Sequence, residues 1–130
     1  MRPLEQCRVA LDRLTIRHVL VSLGRPGRRC GAVLLTDPQS RLTGIFTDSD
    51  LARILERQQD AALDRPIREV MTSSPTVIDK GTMMSVAVEI LVDRKISELP
   101  VIDDEGRPTR VVSSRDIISY LTSLVEEYYE

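Results

Sequence analysis

The chain predicts a mixed α+β fold made of two tandem β-α-β-β-α units, and three observations carry that prediction. Gly44-Ile45-Phe46-Thr47-Asp48-Ser49-Asp50-Leu51 returns without a gap as Arg110-Val111-Val112-Ser113-Ser114-Arg115-Asp116-Ile117, an offset of 66 (116 − 50 = 66). The same offset sets Asp37 on Asp103, Arg41 on Arg107, Thr43 on Thr109 and Leu55 on Leu121. Within each unit, stretches of apolar residues at helical spacing alternate with short apolar runs bounded by turn residues. The units divide the chain into a first repeat at 1–58, a polar linker at 59–66 and a second repeat at 67–130.

The second repeat opens on Ile67-Arg68-Glu69-Val70-Met71, a short helix that Asp64 caps, with Pro66 in its first turn. Ser73-Ser74-Pro75 breaks it, Thr76-Val77-Ile78 reads as a short strand, and Asp79-Lys80-Gly81 as a turn. Thr82 is the N-cap of a helix in which Met83, Val86, Ala87, Ile90 and Leu91 share one face, and Arg94 and Lys95 suit its negative end. Leu99-Pro100-Val101-Ile102 is a buried strand, Asp103-Asp104-Glu105-Gly106 a hairpin turn, and Thr109 to Ser113 the returning strand. Ser113 or Ser114 caps the last helix, whose apolar face is Ile117, Ile118 and Leu121.

The first repeat follows the same order. Arg8-Val9-Ala10 is the short strand, Thr15 opens a helix carrying Ile16, Val19, Leu20 and Leu23, and Ala32 to Leu35 is the buried strand. Asp37-Pro38-Gln39-Ser40 turns the chain, Leu42 to Phe46 returns, and Thr47 or Asp48 starts the helix through Leu51, Ile54 and Leu55. The counterpart of the Ile67 helix falls at or before residue 4 (67 − 66 = 1). The chain is therefore expected to begin inside a longer protein; a natural short form that lost its first helix is the alternative.

Composition narrows the function classes. A net charge of −2 and 3% aromatic residues supply neither the basic footprint nor the stacking platform of a nucleic-acid binder. No apolar run approaches the ~20 residues of a membrane span and no signal-peptide pattern opens the chain, so a cytoplasmic location is expected. Cys7 and Cys30 are too few for a disulfide framework or a metal cluster, and His18 has no second ligand at metal spacing, so no metal is expected. There is no nucleophile–base pair, Gly-rich phosphate loop or carboxylate pair at catalytic spacing, so the chain is not expected to be an enzyme.

What recurs is a hydroxyl and a carboxylate three positions apart at a strand-to-helix junction, Thr47/Asp50 and Ser113/Asp116. A helix start offers unpaired N–H groups and partial positive charge, and so holds a phosphate; a hydroxyl there adds a donor, and a carboxylate one turn in accepts from paired sugar hydroxyls. The same two residues also make a plain capping arrangement. Gly24 to Arg29 is the most basic stretch, either a solvated loop or a phosphate-neutralising one. Tyr120, Tyr128 and Tyr129, with Leu121, Leu124 and Val125, either form a dimer surface or finish the last helix.

These features resemble a CBS-domain pair, or Bateman module, over almost the whole chain. The resemblance rests on Gly44 to Leu51, on Ile67-Arg68-Glu69-Val70-Met71-Thr72, and on Arg94-Lys95-Ile96-Ser97-Glu98-Leu99-Pro100-Val101-Ile102-Asp103, in register in both repeats. Arg25-Pro26-Gly27-Arg28-Arg29, followed by Gly31-Ala32-Val33 and the Gly44 to Leu51 motif, is similar to the C-terminal CBS pair of arabinose-5-phosphate isomerases. The resemblance implies two repeats about a pseudo-two-fold axis and two equivalent clefts, filled by AMP, ADP, ATP or a related nucleotide such as a CMP-sugar. It implies no required cofactor, a homodimer through the CBS pairs, and a covalently linked sugar-phosphate isomerase domain of lipopolysaccharide (Kdo-type) sugar synthesis. Purely structural dimerisation with empty clefts is the alternative. The family's motif assigns phosphate and ribose contacts to Thr47, Asp50, Ser113 and Asp116. Arg115, between Ser113 and Asp116, is either a solvated side chain in the first helical turn or a cation that makes the second site the more phosphate-friendly. Base-facing walls are expected from Val9, Ala10, Gly31, Ala32 and Val33 in one cleft, and from Thr76, Val77, Ser97, Leu99 and Pro100 in the other, with core packing an equal account of most of them. Arg110, where the first motif has Gly44, either points outward or adds a cation.

Overall fold

The computed structural model describes residues 2–3, 8–23, 32–58 and 60–129. Its elements are β1 (Arg2–Pro3), β2 (Arg8–Leu11), α1 (Ile16–Leu23), β3 (Ala32–Thr36), β4 (Leu42–Thr47), α2 (Asp48–Glu56), 3-10 turns at Asp60–Asp64 and Ile67–Glu69, β5 (Thr72–Ser73), β6 (Ile78–Asp79), α3 (Met84–Arg94), β7 (Glu98–Ile102), β8 (Pro108–Ser113) and α4 (Ser114–Tyr129). The strands form two four-stranded sheets, β2-β3-β4-β5 and β1-β8-β7-β6. Each holds a parallel pair, β2/β3 or β6/β7, followed by an antiparallel hairpin, β3/β4 or β7/β8. The hairpins share one register: Ala32 pairs with Thr47 and Glu98 with Ser113, and both slip one step later, between Leu35 and Thr36 and between Val101 and Ile102.

The outermost strand of each sheet is exchanged between the repeats. β5, from the start of the second repeat, pairs with β4 of the first, and β1 pairs with β8 of the second. The preceding segment is also stitched to the first repeat. Ile16 N donates to Arg65 O, Ile67 N to Leu14 O and Arg68 N to Asp12 O. Ile67 is fully buried beside Ile16, Val19, Val33, Leu35, Phe46 and Ile54. These bonds explain why Asp64 does not cap the segment as expected. The N–H groups it would accept from already serve Leu14 and Asp12, and its carboxylate takes Arg17 Nε at 2.8 Å instead.

Two further boundaries differ from expectation. The short strand is Ile78–Asp79 rather than Thr76 to Ile78. α3 starts at Met84 with Met83 at its N-cap and no side-chain cap bond, because the Thr82 hydroxyl donates to Asp79 Oδ1 in the preceding turn. Both follow from a change of offset. Ala10 pairs with Leu35 and Ile78 with Val101, so the offset is 66 after the loop (101 − 35) and 68 before it (78 − 10). Met83 therefore stands where Thr15 stands in the first repeat (83 − 15 = 68), and Thr15 Oγ1 does accept from His18 N. The connection carrying the two extra residues is Gly24 to Gly31, which lies outside the described residues.

The core has three parts that follow from strand alternation. Along β3, Val33 and Leu35 face the α1/α2 cluster, while Ala32 and Leu34 pack with Ile45 and with Val111 of the other sheet. Both faces of β3 are covered, so all five of its residues are buried. In β8, Val111 faces this shared layer and Val112 faces Ile78, Ala87, Leu91, Leu99 and Val101. Among the described residues, no helix is long and apolar enough to cross a membrane.

Several recurring polar residues serve the turns. Asp37 Oδ1 accepts from the N–H groups of Gln39 and Arg41, and Asp103 Oδ1 from those of Glu105 and Arg107. Ser40 and Gly106 take the left-handed position at equivalent points (φ 67° and 80°). The two hairpins also touch: Leu42 N donates to Gly106 O at 2.8 Å and Arg107 Nε to Gln39 O at 3.2 Å. The backbone N–H of Arg41, then that of Gln39 and the Arg41 guanidinium, holds the Asp37 carboxyl below its ordinary range; Arg107 N–H, then Glu105 N–H and nearby cations, does so for Asp103. A carboxyl with a lowered folded-state pKa contributes stability above its unfolded value, near 3.9, and loses it as pH falls through the folded value. Urea denaturation between pH 5 and 2.5 is therefore expected to show stability falling below about pH 4. In Asp37→Asn/Asp103→Asn this part of the fall should shrink; an unchanged pH slope would refute the assignment.

Candidate functional site

β4 runs straight into α2, and β8 into α4, so an inner strand of each sheet delivers the start of a helix. At the first junction Thr47 is extended (φ −105°, ψ 166°) and forms a capping box. Asp50 N donates to Thr47 Oγ1 at 3.3 Å, and Asp50 Oδ2 accepts from Thr47 N at 2.8 Å and from Thr47 Oγ1 at 3.1 Å. Asp50 Oδ1 also accepts from Arg53 Nη2. At the second junction Asp116 Oδ2 accepts from Ser113 N at 2.6 Å and Ser113 Oγ at 3.4 Å. The capping box is complete at Thr47/Asp50, and its return bond, from Ser113 N to the Asp116 carboxylate, is present at the second junction; there the first N–H of α4, that of Ser114, already donates to Ser97 O at 3.2 Å.

The tip of α2 opens into a cleft of about 450 Å³. Its first wall is Ile45, Thr47, Asp48 and Ser49; its second comes from the other repeat, through Thr72, Pro75 and Thr76 and through Lys95, Ile96, Ser97 and Glu98. Hydroxyls, helix-tip N–H groups and the Lys95 ammonium are donors, Asp48 and Glu98 are acceptors, and Ile45, Pro75 and Ile96 give apolar contact. That mixture fits a ligand with a flat apolar part and a phosphate. Lys95 ends α3 in the left-handed conformation (φ 54°), with its N–H on Leu91 O and Val92 O, so the helix stops with this residue in the cleft wall. A non-glycine residue held there is strained, which is common where the chain shapes a site.

Of the residues expected in the walls, some line this cleft and others do not. Thr76 and Ser97, expected together in one cleft with its junction left open, line the cleft of Thr47, and Ser97 O also accepts from Ser114 N at the second junction. The exchange of β1 and β5 accounts for Thr76, since it lays the start of each repeat against the other. Leu99 and Pro100 are not in the wall: both are buried in the core, because the strand turns inward after Glu98. Val77 is half-buried and outside the cleft lining, and Ala32 is fully buried. Val9 and Ala10 are half-buried, packed on the shared layer and on the α1/α2 cluster. Val33 belongs to that same α1/α2 cluster.

Applying the two offsets to the first cleft places its counterpart at Ser113, Ser114 and Arg115, with Arg8 (76 − 68 = 8) and residues 29–32 (95 − 66 = 29, 98 − 66 = 32). Of these, residues 29–31, including Gly31, lie outside the described residues, as does the Gly24 to Arg29 loop. Ser113 is buried, Asp116 is half-buried and Arg115 is exposed on the first turn of α4. Arg110 is exposed. Arg8 is largely buried and its Nη2 lies 3.6 Å from Asp48 Oδ1.

A second cavity, of about 400 Å³, lies along the side of α2 and is lined by Asp50, Arg53, Ile54, Arg57, Val70 and Thr72. Thr72 lines both cavities. Lys95, Glu98, Arg53 and Arg57 were not expected as site residues from the sequence; a helical-wheel view of α2 extended past Asp50 would have flagged the two arginines, one turn apart.

Comparison with known proteins gives these features a context. Residues 67–123 match the CBS-domain family model. Arabinose 5-phosphate isomerase GutQ of Escherichia coli is 34% identical over 102 residues, which is 78% of this chain and 30% of that protein. The chain therefore spans under a third of the length of this relative. Among solved structures, CBSX2 in complex with AMP aligns with a TM-score of 0.79 at 20% identity, covering 95% of this chain and 93% of that one. CBS domain protein PAE2072 from Pyrobaculum aerophilum, complexed with AMP, aligns with a TM-score of 0.73 at 24% identity over 89% of each chain. The family model on the second repeat, the identity extending across both repeats and the shared two-sheet architecture agree with the internal duplication: the chain belongs to the CBS-domain family and is a CBS pair.

Proposed function

We propose that the chain is the regulatory, ligand-sensing region of an arabinose-5-phosphate isomerase, covalently linked to a catalytic domain and itself without catalysis. Its ligand is an adenosine nucleotide or a related nucleotide such as a CMP-sugar, with no required cofactor. The observation that carries this reading is the cleft walled by both repeats, where the tip of α2 meets Thr76, Lys95 and Ser97. A ligand there touches both repeats, and it shifts the parent enzyme only insofar as it prefers one arrangement of the two. Thr47 and the N–H groups beyond it hold phosphate, and Asp50 is the ribose acceptor. Ser113, Asp116 and Arg115 form the second, unequal site. The domain division at 58 and 67 follows the sequence repeat, and the protein acts in the cytoplasm.

Isothermal calorimetry of the chain against AMP, ATP and a CMP-sugar tests this reading. Binding near micromolar, about −8 kcal/mol, is expected, with loss of one site in Asp116→Ala. Heat absent for every nucleotide would end the sensing reading. A second reading, a dimerisation module with empty clefts, is favoured by the apolar stripe on α4. Ile118, Leu121, Leu124 and Val125 are 44–67% exposed there. Sedimentation alongside the titrations separates the two: a dimer indifferent to nucleotide, with no heat, belongs to the second.

A further inference from the structure

The two cavities beside α2 share a wall. The Thr47–Asp50 capping box stands between them, with Thr47 lining the inter-repeat cleft and Asp50 the second cavity, and Thr72 lines both. The second cavity is lined by two arginines, Arg53 and Arg57, one helical turn apart. Arg53 is oriented by its bond to Asp50 Oδ1, and its planar fork keeps further N–H donors. Arg57 ends α2, and its backbone N–H serves Arg53 O and Leu55 O.

The fold does not need these arginines. At the 66-residue offset their counterparts on α4 are Ser119 and Ser123 (53 + 66 = 119, 57 + 66 = 123), and α4 forms there as a longer helix. The pair thus distinguishes the first site from the second. Along a helix rising about 1.5 Å per residue, Arg53 and Arg57 stand roughly 9 and 15 Å beyond Thr47. Those are backbone distances: the Arg53 guanidinium reaches back to Asp50 beside Thr47, and Arg57 stands a further turn along, so the pair extends from the helix tip toward a group attached to a phosphate seated there.

We propose that the two cavities form one continuous site for an elongated nucleotide, with the nucleoside in the inter-repeat cleft and further negative charge, beyond its 5′-phosphate, at Arg53 and Arg57. This deepens the nucleotide-sensing reading and rests on it. The charge is the shared chemistry of two sources, a polyphosphate and an acidic sugar joined through the phosphate. In this arrangement Asp50, which lines the second cavity and not the inter-repeat cleft, is a positioning residue that holds Arg53 at the junction and not the ribose acceptor.

The test titrates the 130-residue chain with adenosine, AMP, ADP and ATP, and with CMP against a CMP-linked acidic sugar. Wild type is expected to gain about tenfold or more in affinity on passing from a monophosphate to the longer member of its series. The adenosine series identifies a polyphosphate and the cytidine series an acidic sugar. In Arg53→Ser/Arg57→Ser, which installs the residues of the second repeat, that gain is lost while AMP or CMP binding persists. Arg57→Ser alone, leaving the Asp50–Arg53 pair intact, should lose part of it and guards against a misfolded double variant. Monophosphate binding with no gain from a longer ligand in either series, or a gain that survives both variants, overturns the continuous site and leaves nucleotide sensing standing. Absence of binding by every nucleotide overturns both.

Discussion

Ile67→Ala is expected to lower the unfolding free energy by about 2–5 kcal/mol, the range for truncating a fully buried aliphatic side chain. The location of the damage matters more than its size. Ile67 belongs by sequence to the second repeat, yet it packs among Ile16, Val19, Phe46 and Ile54 of the first. Hydrogen exchange on the variant should therefore rise most in α1, α2 and β4. Loosening of α3 and β7 with α1 unaffected would contradict the exchanged packing. Urea denaturation gives the free-energy change directly, and an unchanged slope m would show that the denatured state is not the cause.

Gly44→Val should be the next most damaging change, by about 1–3 kcal/mol. A Cβ at residue 44 would lie 2.3 Å from Met71 Sδ and 2.8 Å from its Cγ and Cε. The thioether fills the space that glycine leaves at the start of the first repeat's motif, and a β-branched residue forces it out. Shortening the obstacle should restore much of the loss, so Gly44→Val/Met71→Ala is expected to be more stable than the sum of its parts. The counterpart position is the control. Arg110 is exposed, and Arg110→Val should change stability by less than about 1 kcal/mol, the ordinary worth of an exposed charged contact. If the two valines cost the same, the packing of Met71 is not what requires glycine.

This contrast shows what a repeat reveals and what it hides. Asp37/Asp103, Arg41/Arg107 and Thr43/Thr109 recur because the hairpins demand them: each Asp collects turn N–H groups, and Thr43 Oγ1 and Thr109 Oγ1 both donate to a carbonyl across the hairpin at 3.2 Å. Such residues are legible from the chain alone, since turn chemistry is local. The strands from Ala32 and Glu98, the helices after Thr47 and Ser113, and the capping pairs were legible for the same reason. Which junction each wall faces was not. Thr76, just past β5, comes to Thr47 because β5 crosses to the other sheet, a long-range event with no local signature. Nor could spacing reveal that Thr82 would be captured by Asp79, or that Lys95 would end α3 in the left-handed conformation. The shift of offset from 66 to 68 became visible only through strand register.

The exchanged edge strands also bear on how such a chain could have arisen. A single repeat with its own leading segment lacks the strand that completes its sheet, and it carries a strand with nowhere to pair at home. Two separate copies satisfy both needs only by trading those segments, as an intertwined homodimer. Duplication followed by fusion would keep each traded contact while turning it from an encounter between molecules into one within a chain. Once fused, the copies were free to diverge on opposite sides of one scaffold, and the Arg53/Arg57 pair set against Ser119/Ser123 is what such divergence looks like.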